Sequence, residues 1–145
     1  MKIPVMIVDD EKVDRYTARR RLLQHGGFAE PLESESGDAF LEIHCSTPGQ
    51  WPASAPPHLI LMDINMPGRD GFATIEELER RHGAGLGPPA LIVTMFTSSS
   101  SPRDRARADE LRLVQGYVEK PLEAEGARRL YDLYMDFLRE KGLAA

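Results

Sequence analysis

Three short apolar runs limit the architecture more than anything else in the sequence: Val5-Met6-Ile7-Val8, Leu59-Ile60-Leu61-Met62 and Leu91-Ile92-Val93-Thr94-Met95-Phe96. A briefer fourth, Gly116-Tyr117-Val118, follows. None of the first three alternates polar with apolar residues, so each reads as a strand buried on both faces. Four to six residues is strand length, which favours this reading over a buried helix. The intervening segments carry helical spacing. Phe72, Ile75 and Leu78 recur on one side while Glu76, Glu77 and Glu79 point elsewhere, and Ala127, Leu130, Tyr134, Phe137 and Leu138 line a closing helix over 127–141. Val13, Tyr16 and Leu23 give a weaker stripe in an arginine-rich first helix. Strands alternating with helices predict right-handed crossovers and a parallel sheet covered on both sides, a doubly wound α/β fold.

A further strand is expected over 28–33, on an edge of the sheet because Pro31 has no N–H for a ladder. Gly37 is then expected to open the second helix. Ser101-Pro102-Arg103-Asp104 has the order of a helix start: a cap, a proline in the first turn, an acid at the positive end. Segments 46–57 and 83–89 hold the densest turn chemistry and read as surface insertions between strand and helix signals.

A chain of 145 residues suits one domain with a core large enough to need no staples. The single cysteine, Cys45, excludes an internal disulfide framework and fits a reducing compartment, so a cytoplasmic location is expected. No apolar run approaches the roughly 18 residues of a membrane span, and Met1 to Val8 is too short for a secretory leader. A net charge of −5, from 18 basic and 23 acidic residues, argues against general nucleic-acid binding.

The acids stand in unusual places. Asp9 and Asp10 directly follow the first apolar run, and Asp63 directly follows the second. Parallel strands end on one edge of the sheet, so these carboxylates converge there although they are far apart in the chain. Thr97 closes the third run and Lys120 follows the fourth. The crevice beyond the strand ends is where open α/β sheets hold ligands. Three carboxylates in close quarters repel one another, and a hard cation such as Mg²⁺ removes that penalty. A lysine and a hydroxyl beside them suit phosphoryl oxygens, and an aspartate can itself be the nucleophile. Taken singly, each residue reads as a cap, a turn or a solvated side chain; jointly they read as Mg²⁺-dependent phosphoryl transfer onto a carboxylate.

With these residues in place, the sequence resembles the receiver domain of two-component response regulators over nearly its whole length. The matching pieces are Val8-Asp9-Asp10-Glu11, Ser36-Gly37-Asp38-Ala39, Met62-Asp63-Ile64-Asn65-Met66-Pro67-Gly68-Arg69-Asp70-Gly71, Thr97-Ser98-Ser99 and Gly116-Tyr117-Val118-Glu119-Lys120-Pro121-Leu122. The resemblance implies a flavodoxin-like, five-stranded sheet in the order 2-1-3-4-5. It implies that Asp63 accepts a phosphoryl group from a histidine kinase or phosphotransfer protein. Asp10 would bind Mg²⁺ directly, Asp9 through or beside a bound water, and Asn65 through its backbone carbonyl. Lys120 and Thr97 would contact the phosphoryl oxygens, Tyr117 would occupy the aromatic switch position coupled to Thr97, and Lys120-Pro121 would be a cis peptide. Asn65 and Ser99 fall at positions that govern the access of water to the aspartyl phosphate; both are small and neutral, which implies an intermediate phosphate lifetime. The likeness is to stand-alone, chemotaxis-type receivers: one receiver domain over 1–145 without an output domain, signalling to a separate effector protein, with no enzymatic activity beyond its own phosphorylation and dephosphorylation.

Pro4 and Pro31 are awkward within strands, and the 46–57 loop is long for the family. Arg15, Arg19, Arg20 and Arg21 read as a solvated face of the first helix. Arg103, Arg105, Arg107 and Arg112 belong to a fourth helix with little apolar content, which suits a surface that shifts or one that is merely solvated. Gly68 and Gly71 read as turn residues, and the four histidines show no ligand spacing. Two alternatives stand beside the receiver reading. A phosphatase of the haloacid-dehalogenase type would need an acid two residues after the nucleophile, where this chain has Asn65. A degenerate receiver acting without phosphorylation would leave the filled acidic positions without a use.

Overall fold

The structure, a computed structural model, describes residues 1–98 and 101–143. Ten elements alternate along the chain: β1 (Val5–Val8), α1 (Lys12–His25), β2 (Leu32–Ser34), α2 (Gly37–His44), β3 (His58–Met62), α3 (Gly71–Gly83), β4 (Leu91–Thr97), α4 (Pro102–Asp109), β5 (Val114–Glu119) and α5 (Ala124–Glu140). All strand pairs are parallel, and the order across the sheet is β2-β1-β3-β4-β5. Every residue of β1, β3 and β4 is buried, as expected for non-alternating runs covered on both sides.

The two-residue period of the strands divides the core into two layers. Ile3, Val5, Ile7, Leu59, Leu61, Ile92 and Phe96 face α1 and α5, where they meet Ala18, Leu22, Leu130, Tyr134 and Leu138. Met6, Val8, Ile60, Met62, Val93 and Met95 face the other way, against Phe40 and Leu41 of α2 and Phe72, Ile75 and Leu78 of α3. The apolar stripe expected for α3 is buried, and so is that of α5 except for Phe137, which is half-buried against the core. Tyr134 also donates its hydroxyl to the Pro57 carbonyl at 2.9 Å, tying α5 to the end of the 46–57 loop. In that loop, Trp51 Nε1 donates to the His44 carbonyl at 2.8 Å while its indole meets the His58 ring edge-on at 4.7 Å.

Four expectations are corrected. Arg112, expected in the fourth helix, lies in the turn between α4, which ends at Asp109, and β5. The second strand is Leu32–Ser34, not 28–33: Pro31 stands just ahead of it, and Phe28 makes only an isolated bridge to Ile3. β5 is longer than its apolar centre and begins at Val114. The stripe assigned to α1 points the wrong way, since Val13, Tyr16 and Leu23 are 74%, 61% and 44% exposed. The buried side of α1 is Arg15, Ala18 and Leu22. Arg15 is thus not part of a solvated face. Its guanidinium is sheltered because it donates to the Asp9 carbonyl at 2.8 Å and to Glu33 Oε1 at 3.1 Å, which offsets the cost of burying a charge. No helix among the described residues is long and apolar enough to cross a membrane.

Candidate active site

The carboxyl ends of β1, β3, β4 and β5 meet at one edge of the sheet. Backbone hydrogen bonds set the relative heights there: Asp63 N donates to the Val8 carbonyl at 2.9 Å, and Lys120 N donates to the Thr97 carbonyl at 2.9 Å. Asp9 and Asp10 leave β1 as Asp63 leaves β3, and carboxylate oxygens of all three lie within 4.8 Å of one another. Asp9 is fully buried, and its Oδ1 accepts from the Glu11 N–H at 2.9 Å. Asp10 Oδ1 is buried with no hydrogen-bond partner among the described residues. An orphaned carboxylate oxygen in an acid cluster is costly unless something binds it, and a hard divalent cation is the group that suits three carboxylates.

Lys120 enters from the end of β5, its side chain 9% exposed. Its Nζ lies 2.7 Å from Asp9 Oδ2, 3.0 Å from Asp14 Oδ2 and 3.2 Å from Asp63 Oδ1. The Phe96 ring lies 5.3 Å from the ammonium. Burial, then the charge of Asp9, pushes the Asp63 carboxyl up to about 7 against the pull of Lys120. Burial acts on Lys120 in the opposite sense to its partners, but hydrogen bonds to Asp9 and Asp14 and the charges of Asp9 and Asp63 carry it above the ordinary lysine value. Asp63 is therefore a carboxyl whose burial and acidic neighbour favour its protonated form, while added positive charge beside it favours the carboxylate.

The loop after β3 depends on two glycines. Gly68 has φ of +75°, a backbone region that side chains disfavour. Gly71 was read from sequence as plain turn chemistry; its constraint is different. A Cβ there would lie 2.1 Å from the Asp63 carbonyl oxygen, while Gly71 N donates to the Ile64 carbonyl at 2.8 Å. The start of α3 is packed directly on the backbone that carries Asp63. Asp70 caps that helix, its Oδ1 accepting from Ala73 N at 2.8 Å.

Of the residues singled out from sequence, Asp9, Asp10, Asp63 and Lys120 are brought together. Asn65 lies two residues beyond Asp63 in the exposed part of the loop. Thr97 is buried at the end of β4, and Tyr117 is half-buried in β5 opposite Met95. The Arg105 guanidinium of α4 lies 4.5 Å over the Tyr117 ring, and that of Arg107 lies 4.5 Å over Phe72. Ala108 is the one buried residue of α4, so arginines on aromatic rings take the place of an apolar stripe. Lys120-Pro121 is cis. Ser99 lies outside the described residues. Sequence reasoning missed Asp14 and Arg15, which reach the site from the first turns of α1. The available signal was position: Asp14 falls in the first turn of α1, the helix that starts directly after the Asp9-Asp10 end of β1.

Comparison with known proteins agrees with this geometry. The family model described as the response regulator receiver domain matches residues 5–131. The two-component response regulator ORR41 of Oryza sativa subsp. japonica is 32% identical over 128 residues, spanning 85% of this chain and 87% of that protein. The transcriptional regulatory protein ZraR of Salmonella typhimurium is 27% identical over 143 residues, 97% of this chain, which spans only 28% of ZraR. Among solved structures, a two-component response regulator from Cytophaga hutchinsonii superimposes with a TM-score of 0.73 at 28% identity, covering 94% of this chain and 99% of that one. The chain belongs to the response regulator receiver domain family of two-component systems.

Proposed function

We propose that this receiver is a phosphorylation-controlled switch in which Asp63 accepts a phosphoryl group from a histidine kinase or phosphotransfer protein. The observation that carries the reading is the joint placement of Asp63, two further carboxylates within 4.8 Å and the Lys120 ammonium 3.2 Å from Asp63 Oδ1. An Asp63 carboxylate oxygen attacks phosphorus. The P–N bond of the phosphohistidine breaks, its electron pair going to the imidazole nitrogen, which takes up a proton. Lys120 redirects an N–H from Asp63 to a phosphoryl oxygen, and the Thr97 hydroxyl supplies a second donor.

The acid cluster would suit Mg²⁺: Asp10 and Asp63 would hold it, Asp9 would act through or beside a bound water, and Asn65 would offer its backbone carbonyl. When bound, the ion offsets the mutual repulsion of the carboxylates and the charge of the incoming phosphoryl group. Phosphorylation would be read through Thr97, Tyr117 and the thinly attached α4, and passed to a separate effector protein in the cytoplasm. The charge balance of −5 speaks against nucleic acid as the direct target, and the small, neutral Asn65 supports a phosphate lifetime of intermediate length.

The reading is tested by transfer from a panel of labelled histidine kinases, followed by a chase with unlabelled ATP. One kinase is expected to label wild-type protein much faster than the others, and Asp63→Asn should stay unlabelled. Equal labelling of both proteins would overturn the assignment of Asp63, and label that persists for hours would overturn the intermediate lifetime.

A further inference from the structure

The ammonium of a lysine has three N–H donors, and Lys120 has three carboxylates around it. Two belong to the chemistry already assigned: Asp9 lies in the acid cluster that suits a cation, and Asp63 is the acceptor. The third, Asp14, is neither. Its Oδ2 accepts from Lys120 Nζ at 3.0 Å across most of the length of the chain. It stands on the first turn of α1, one-third exposed, whereas the side chains of Asp9 and Asp63 are 0% and 5% exposed.

We propose that Asp14 is a positioning residue for phosphoryl transfer, anchoring Lys120 at the phosphoryl end of the site through the whole cycle. This rests on the reading of Asp63 as acceptor. When the acid cluster takes a cation, the pull of Asp9 on Lys120 weakens, because its charge is shared with the ion. When Asp63 is phosphorylated, its carboxylate becomes a neutral acyl phosphate linkage and its charge passes to the phosphoryl oxygens. Asp14 would then be the one carboxylate beside Lys120 that neither shares its charge with the ion nor carries the phosphoryl group. The bond to Asp14 holds one N–H of the ammonium and leaves the others free to turn toward phosphoryl oxygens, while the Phe96 ring limits where the side chain can swing.

A charge in the first turn of a helix has a simpler use, as a partner for the helix dipole, and the two roles respond differently to substitution. Asp14→Asn keeps an accepting oxygen and loses the charge; Asp14→Ala loses both. Three quantities distinguish them: hydrogen exchange of the Lys120 ammonium by ¹H–¹⁵N spectroscopy of metal-free protein, Mg²⁺ affinity, and the rate of phosphorylation by phosphoramidate. An anchor predicts that Asp14→Ala speeds ammonium exchange severalfold and slows phosphorylation by about tenfold, the worth of one charge-assisted hydrogen bond. Asp14→Asn should retain the rate to within about threefold, and Mg²⁺ affinity should change by less than about twofold in both. Equal losses in the two variants would assign Asp14 to the helix dipole, a parallel fall in Mg²⁺ affinity would assign it to the cation site, and wild-type behaviour of Asp14→Ala would leave it no role; each overturns the proposal. If wild-type protein is not phosphorylated, the function proposed for Asp63 fails, and ammonium exchange alone then decides whether Asp14 anchors Lys120.

Discussion

The Arg105 guanidinium lies 4.5 Å from the centre of the Tyr117 ring, and this contact joins α4 to β5 at the edge of the site. With Ala108 as its one buried residue, α4 has little else of an apolar kind to hold it down. Arg105→Ala is expected to cost about 0.5–1 kcal/mol in urea unfolding, the usual worth of an exposed cation–π pair. Amide exchange in α4 should already be the fastest of the five helices in wild type and should quicken further in the variant.

Gly71 and Gly68 are neighbours in one loop under different constraints. Gly71→Ala drives a methyl group into the Asp63 carbonyl, at 2.1 Å before relaxation. It is expected to destabilise the fold by at least about 2 kcal/mol and to slow phosphorylation, because relief requires moving the backbone of Asp63 or α3. Gly68→Ala meets nothing within 4 Å and bears only the cost of its left-handed backbone, about 1 kcal/mol. Paired denaturation curves separate the two.

The Asp63 carboxyl stands at about 7 in the fold against an ordinary value of 3.8, through burial and the charge of Asp9. A raised carboxyl pKa means that the metal-free fold favours the protonated form. That contribution is complete below the unfolded value and is lost as pH rises through about 7. Asp63→Asn removes the ionisation and is expected to stabilise metal-free protein at about pH 8 by on the order of 1–2 kcal/mol. The advantage should shrink toward zero as pH approaches about 4, which thermal unfolding across that range measures.

The same proton competes with a cation. Apparent Mg²⁺ affinity is expected to fall by up to about tenfold per unit as pH drops below about 7, with proton release on binding at neutral pH. Calorimetric titration in two buffers of different ionisation enthalpy counts the protons. In Asp63→Asn the pH dependence should flatten.

The residues that proved legible in the sequence were those whose chemistry follows from position on a strand. Asp9, Asp10, Asp63 and Lys120 could be assembled from a one-dimensional pattern because parallel strands end on one edge. The rest needed three dimensions. Val13, Tyr16 and Leu23 have helical spacing yet face outward, because Arg15 can be buried in their place once the Asp9 carbonyl and Glu33 are there to receive it. Glu33 is distant in the chain, so no local signal marks the exchange. Asp14 was hidden for the same reason, its partner Lys120 lying beyond four further strands. β2 was displaced because Phe28 is as apolar as a strand residue, although it packs in the core from outside the ladder. Gly71 looked like turn chemistry because a close approach of two backbones leaves no trace in residue type.

The central claim, that Asp63 is the phosphoryl acceptor of a cation-dependent switch, is tested most directly by intact-mass spectrometry after incubation with phosphoramidate and Mg²⁺. Wild-type protein is expected to gain one phosphoryl adduct that maps to the peptide containing Asp63, to lose it on standing, and to gain none when Mg²⁺ is chelated; Asp63→Asn should gain none at all. Wild-type protein that stays unmodified, or Asp63→Asn that is modified equally, would contradict the account.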